Sequence, residues 1–423
     1  MGAAAQKAKP TSSCRTSSWT RSSSASRPTT PRASSVRPSP AGTGAASSPA
    51  PAAAAASARA TGGRLPLLGL VHNTRDGGGG GGEEVASVAR FAPASSSSSS
   101  SSFRPPRAAG PRGLHALDAR HGRVLLHNSP WGVEPPDNVL FVWDPITDEL
   151  QQPPELPAED PDLYDPAWNA AVLCAAPAAG CDHLDCRRGP FLVVLVATGI
   201  SGTAACVYSS EAGAWNGPTY AQPGQAINGR VNLGPSALVG NALYFLFYWG
   251  PGILKYNLAT QEMSVIPLAT AYPSRLVLMA MEGGGLGVAG VDDAALYIWS
   301  RKDEDDRWIQ SKAIDLKKLL PVDALEGSIY LYGFVDGANV IFILANHELY
   351  SIDLKSSQTI KIDLGVGPIF YNVVPYMSFY TPDQASNVAS GTSSVAKTNL
   401  CSAYELRFWR KLNMDAANCH PRL

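Results

Sequence analysis

The chain has 423 residues, 16% of them charged, and a formal net charge of −1. That balance gives no electrostatic footprint for nucleic acid or an anionic membrane surface as partner, and no apolar run reaches the ~18 residues of a membrane span. Seven cysteines, scattered rather than framed as a disulfide scaffold, suit a reducing compartment, cytoplasmic or nuclear.

Residues 1–63 are built from Ala, Ser, Pro, Thr and Arg, and no acidic residue precedes Asp76. Such a segment buries too little apolar surface to offset its ordering entropy, so disorder is expected. Ser-rich, Arg-bearing and acid-free is also transit-peptide composition, which makes a plastid the alternative compartment. Leu65–Asn73 reads as a strand and Val85–Phe91 as a second one. The glycine run Gly77–Gly82 and the serine run Ser95–Ser102 read as loops.

The stretch 113–150 carries the clearest pattern. Ala116–Leu126 is a strand pair turned at Arg120-His121-Gly122, and Val139–Trp143 is an uninterrupted apolar, β-branched and aromatic strand. It stops at Asp144-Pro145-Ile146-Thr147-Asp148, where Pro145 pre-sets φ for a type I turn and Asp144 can cap it. The unit recurs. Phe141-Val142-Trp143, Cys206-Val207-Tyr208, Leu254-Lys255-Tyr256, Tyr297-Ile298-Trp299 and Tyr350-Ser351-Ile352 each precede a polar turn and a return strand, at Trp215, Met263–Ile266, Trp308–Ile314 and Thr359–Ile362 for the last four. Earlier strands stand in each unit: Ala170–Cys174 with Phe191–Ala197, Ala237–Val239 with Leu243–Tyr248, Leu276–Met281 with Leu286–Ala289, and Tyr330–Val335 with Val340–Leu344. The steps from Tyr208 to Tyr256, Trp299 and Ile352 are 48, 43 and 53 residues, the period of propeller blades. Five blades are visible. Val373–Tyr380 with Leu67–Asn73 supplies a sixth, and closure of the ring removes the open sheet edges. The expected fold is an all-β six-bladed propeller over residues 64–382, with disordered segments at 1–63 and 383–423. Within the latter, Tyr404–Leu412 has the pattern of a short amphipathic helix.

Candidate chemistry is sparse. Gly285-Leu286-Gly287-Val288-Ala289-Gly290 matches G-x-G-x-x-G, but a dinucleotide site needs a helix next, and Val291–Trp299 reads as turn and strand, so a hairpin is expected. Cys181-Asp182-His183-Leu184-Asp185-Cys186, with Cys174 upstream, offers thiol and imidazole ligands for zinc. The C-x₂-C pairs of structural zinc sites are missing, so the expectation is a loop without metal. Asp303-Glu304-Asp305-Asp306 reads as a solvated turn rather than acid–base machinery. Trp131, Trp143, Trp215, Trp249, Trp299 and Trp308 suit core and inter-blade packing better than a sugar groove. No nucleophile–base pair is legible, so neither catalytic residues nor cofactor are expected.

The phrases "LDARHGRVLL", "LFVWDPITDEL", "LYFLFYWGPGILKYNLATQEMSVIPL" and "VVPYMSFYTP" resemble the associated domain of plant, grass-type F-box proteins, over roughly residues 64–382. The resemblance implies a propeller that recognises a target protein for a cullin–RING (SCF-type) ubiquitin ligase and performs no chemistry. The family's N-terminal F-box, which docks on the ligase adaptor subunit, is not legible in frame. The run Ser13–Ser39 admits a message that, read one frame over, resembles an F-box opening. Val36 is the sole Leu, Ile or Val before Leu65. Adaptor docking is therefore expected only if that frame is restored. The alternative is a glycan-binding or glycan-acting propeller, which would need converging carboxylates or a metal at its channel.

Overall fold

β-Branched and aromatic runs, bounded by turns of Gly, Asn and Asp, become strands that pair with their neighbours in sequence. The computed structural model describes residues 66–75, 87–94, 103, 105, 113–128, 140–156, 167–176, 181, 183–184, 186–199, 202–221, 229–249, 252–268, 276–301, 307–364 and 369–378. The first strands are β1 (Leu67–Arg75) and β2 (Ser87–Pro93). Blade one is β3 (His115–Arg120), β4 (Arg123–His127), β5 (Leu140–Asp144) and β6 (Glu149–Gln151). Blade two is β7 (Ala167–Cys174), β8 (Phe191–Thr198), β9 (Thr203–Ser209) and β10 (Ala214–Trp215), with β11 (Thr219–Tyr220) also on β9. In blade three, β12 (Arg230–Val231) and β13 (Ala237–Val239) both pair with β14 (Ala242–Trp249), followed by β15 (Gly252–Asn257) and β16 (Met263–Pro267). Blade four is β17 (Leu276–Ala280), β18 (Leu286–Asp292), β19 (Ala295–Arg301) and β20 (Ile309–Asp315). Blade five is β21 (Ile329–Val335), β22 (Val340–Ala345), β23 (Glu348–Asp353) and β24 (Thr359–Ile362). β25 (Ile369–Met377) pairs with β1, and β1 with β2, to make blade six from both ends of the propeller.

The first strands β3, β7, β12–β13, β17 and β21 and then β25 pack side by side in a ring, and β25 meets β3. The fold is thus an all-β, six-bladed propeller. Among the described residues its helix is limited to two 3-10 turns, Leu316–Lys318 and Asp323–Glu326. No helix there is long and apolar enough to cross a membrane. The core is six apolar clusters, one between each pair of blades: Val71, Phe141, Trp143 and Tyr376 mark the blade six–one seam, and Ile298, Leu316, Ile341 and Ile352 the four–five seam. A sheet sandwiched between two others is buried on both faces. This is why β8 reads as the unbroken run FLVVLVAT while the outer β20, IQSKAID, is almost wholly exposed. At Gly333 an added Cβ would stand 2.8 Å from the Val373 carbonyl oxygen, so β21 approaches β25 only because this residue is glycine.

The repeated turn has one construction. Asp144, Asn257 and Asp353 each accept from the backbone N–H groups two and three residues on. Four residues after each, Asp148, Gln261 and Ser357 take φ of 58°, 59° and 59°. The N–H of each donates back to its Asx carbonyl at 2.8 Å. Gly213 repeats this on Ser209 in blade two.

The sequence expectations meet this structure in detail. The strand expected at Val85–Phe91 is Ser87–Pro93, and of the run expected at Val373–Tyr380 the part up to Met377 lies in β25, while residues 379–380 lie outside the described residues. The G-x-G-x-x-G run lies in the β17–β18 turn and along β18, which continues to Asp292 as a strand paired with β19. The segments 1–63 and 383–423, the glycine and serine runs, Asp303–Asp306, Trp131 and Tyr404–Leu412 lie outside the described residues.

Candidate functional site

The β3–β4 turn, the β5–β6 turn and the β7–β8 connection come together at one end of blades one and two. His121 and Gly122 turn the first hairpin with φ of 54° and 75°. The Tyr376 hydroxyl, from β25, donates to the Gly122 carbonyl at 3.1 Å, and burial pushes that phenol above its usual range. Two arginines hold the β7–β8 connection down onto blade one. Arg187 meets Asp144 at 2.7 Å, with side chains only 5% and 12% exposed. Arg123 donates to the carbonyls of Cys186, at 2.9 Å, and Gly189, and its guanidinium lies over the Phe191 ring.

This clamp gathers four ligating side chains. The ligand atoms of Cys174, Cys181, His183 and Cys186 all lie within 4.8 Å of one another. Cys174 ends β7 and is buried, and Cys181 and Cys186 are half-buried. The His183 ring stacks on His121 with centroids 4.3 Å apart, and His121 Nδ1 accepts from the Cys174 N–H at 2.9 Å. Burial, together with the neighbouring Cys174 and Cys181 thiols, pushes the Cys186 thiol well up. Burial lowers Arg123, and the Cys186 and Cys174 thiols oppose that shift.

A second polar group lines the inner strands. Asp118 accepts from the Val172 N–H at 2.9 Å, so blade one bonds blade two. It also pairs with Arg120, which reaches Ser236 Oγ at 3.1 Å and the Ser236 carbonyl. Asp336, in the β21–β22 turn, accepts from the Ala280 N–H at 3.2 Å, so blade five bonds blade four. Burial raises both carboxyls, against the pull of Arg120. Each of these carboxylates is engaged by the backbone of a neighbouring blade, which is a packing role. No sequence signal pointed to them, since a backbone amide partner leaves no motif.

The tryptophans also serve the blade seams. Trp143 is buried and donates to Asp148 Oδ1 at 3.1 Å. Trp215 donates to the Pro154 carbonyl at 2.8 Å, and Trp308 to the Pro267 carbonyl at 3.1 Å. Each of these two tethers one outer strand to the preceding blade. Trp299 packs into the blade three–four cluster, and Trp249 ends β14.

A closed ring of six antiparallel blades, with Asp118 and Asp336 bonded across its seams, defines a β-propeller. The chain belongs to the family described as "F-box protein AT5G49610-like, beta-propeller", whose model matches residues 115–383. A search of curated proteins returns no match. Similar solved structures include a chain of the nidogen/laminin complex, 11% identical, with a TM-score of 0.40, covering 73% of this chain and 98% of that one. Another is TolB from Acinetobacter baumannii, 9% identical, with a TM-score of 0.38, covering 76% of this chain and 70% of that one.

Proposed function

We propose that the propeller recognises a target protein for a cullin–RING (SCF-type) ubiquitin ligase, in the cytoplasm or nucleus, and performs no chemistry itself. The observation that carries this reading is the family match over 115–383, which belongs to the propeller of F-box proteins. The engagement of Asp118 and Asp336 by backbone N–H groups supports it against a glycan-acting enzyme, whose carboxylates would have to face substrate.

Adaptor docking is the weak link. An F-box packs short apolar helices on its adaptor, and burial of each such side chain is worth roughly 1.5–3 kcal/mol. Residues 1–63 hold a single Leu, Ile or Val, at position 36, and Pro28, Pro31, Pro38 and Pro40 interrupt helix. The chain as written is expected not to co-purify with the ligase adaptor, whereas a version with the neighbouring frame restored across residues 13–63 is expected to bind it. Equal retention of the adaptor by both versions would refute the out-of-frame reading. Failure of the restored version to bind would count against the ligase assignment.

A further inference from the structure

We propose that Cys174, Cys181, His183 and Cys186 bind one zinc ion, which pins the β7–β8 connection to the rim of the propeller. A tetrahedral zinc with bonds to sulfur of about 2.3 Å spaces its ligand atoms about 3.8 Å apart. The Cys174 and Cys181 sulfurs are 3.9 Å apart, and the Cys186 sulfur is 3.8 Å from His183 Nδ1. The expectation of a metal-free loop rested on missing C-x₂-C pairs. His183-Leu184-Asp185-Cys186 has that spacing, with imidazole in place of the first thiolate. His183 takes the left-handed φ of 57°. Its N–H donates to the Cys181 sulfur at 3.3 Å, a bond that favours the thiolate form a metal requires.

The surroundings fit the charge and orientation of such a centre. Zinc with three thiolates and a neutral imidazole carries a net charge of −1. Arg123, whose buried Nη1 has no hydrogen-bond partner among the described residues, supplies the compensating positive charge beside it. His121 stacks on the ligating ring and takes the Cys174 N–H, so two ligands are held from the neighbouring blade. A disulfide would use two of the cysteines and leave the third thiol and the imidazole without a role.

The test uses the full chain, expressed with zinc in the medium and purified in thiol reductant without chelating resin. Metal analysis is expected to find one zinc per chain, lost in Cys174→Ser and Cys186→Ser and kept in His183→Cys. Cobalt exchanged into the wild type is expected to give the intense visible bands of a tetrahedral ion with thiolate-to-metal charge transfer, the latter stronger in His183→Cys. If the serine variants do not fold, the wild-type cobalt spectrum and the His183→Cys variant still decide. Absence of both zinc and cobalt bands would overturn the proposal. So would zinc that persists in a folded Cys186→Ser, or a thiol count showing two of these cysteines oxidised together.

Discussion

The seams on the two sides of the ring are built differently. Between blades six, one, two and three, buried side chains bond directly to the neighbouring blade's backbone. Asn73 accepts from Ala116 N–H at 2.7 Å and donates to Ala116 O at 3.0 Å, as a strand would. Asp118 takes the Val172 N–H, Asn169 donates to the carbonyls of Asn232 and Gly234 at 2.6 and 2.9 Å, and Thr198 takes the Val231 N–H at 2.9 Å. Between blades four and five the seam is a large aliphatic cluster crossed by one longer bond of this kind, Ala280 N–H to Asp336, with its other polar contacts at the edge: Asn339 and Lys355 on Glu282, and Lys312 on the Leu354 carbonyl. Apolar burial is strong but non-directional, so it holds blades together without fixing their register. A buried donor matched to one acceptor fixes register, because every slipped arrangement leaves a polar group unpaired. The register-fixing side is the one where the propeller closes through β1 and β25, and it also carries the Cys–His cluster.

The largest expected effect is at Asp118. Asp118→Ala removes the partner of a buried arginine and the acceptor of Val172 N–H, at a cost of about 3–5 kcal/mol in urea unfolding. Asp336→Ala, which removes one longer bond across the blade four–five seam, is expected to cost about 1 kcal/mol. Similar losses for the two would dissolve the distinction between the two sides.

Acid should act on the polar side next. His115 and His127 stack at 5.1 Å, His127 meets Trp168 edge-on at the blade one–two seam, and both are buried. Burial lowers His115 to about 4 and His127 to about 3, the latter helped by His115. Folded values below the unfolded value of 6.5 mean that the unfolded chain binds more protons as pH falls. Stability is therefore complete above 6.5 and lost below it, by about 1.4 kcal/mol for each histidine between pH 7.5 and 5.5, less than additively for the stacked pair. The melting temperature is expected to fall over that interval, and less steeply in His127→Gln. A flat profile, or one unchanged by His127→Gln, would contradict this.

Asn73→Ala comes third. It deletes both bonds that Asn73 makes to Ala116 of blade one, and about 1–3 kcal/mol is expected. Hydrogen exchange at the Ala116 amide should rise beyond what the global loss explains.

The legible parts of this molecule are those where chemistry is local in sequence. The third strands and their turns could be read because an aromatic or branched strand end followed by a polar turn recurs, as at Trp143 and Asp144. The sixth blade could be read because Leu67–Asn73 and Val373–Tyr380 remained as strand-like runs at the two ends of five assigned blades, and β1 and β25 do pair. The first strand of blade three was read only in its Ala237–Val239 half, since residues 232–236 separate it from the Arg230–Val231 bridge. The Cys–His cluster was half legible. Three ligands lie within six residues, but their convergence with Cys174 depends on Arg123 and Arg187 folding the connection down.

The smallest expected effect tests the apolar side. Glu282 lies between blades four and five, 2.8 Å from Asn339 Nδ2 and 2.5 Å from Lys355 Nζ. On a contact diagram it resembles Asn73, with two partners on the next blade. The difference is solvent: the Lys355 and Glu282 side chains are 58% and 49% exposed, while Asn73 is 2% exposed. Water replaces what Glu282→Ala removes, and salt screens what remains of the ion pair. The expected change is therefore under ~0.5 kcal/mol, shrinking further in high salt. Asn73→Ala should be insensitive to salt, because its bonds are neutral and dry. A loss at Glu282 as large as that at Asn73 would mean that contact across a seam, rather than burial of the bonded group, sets the strength with which blades are joined.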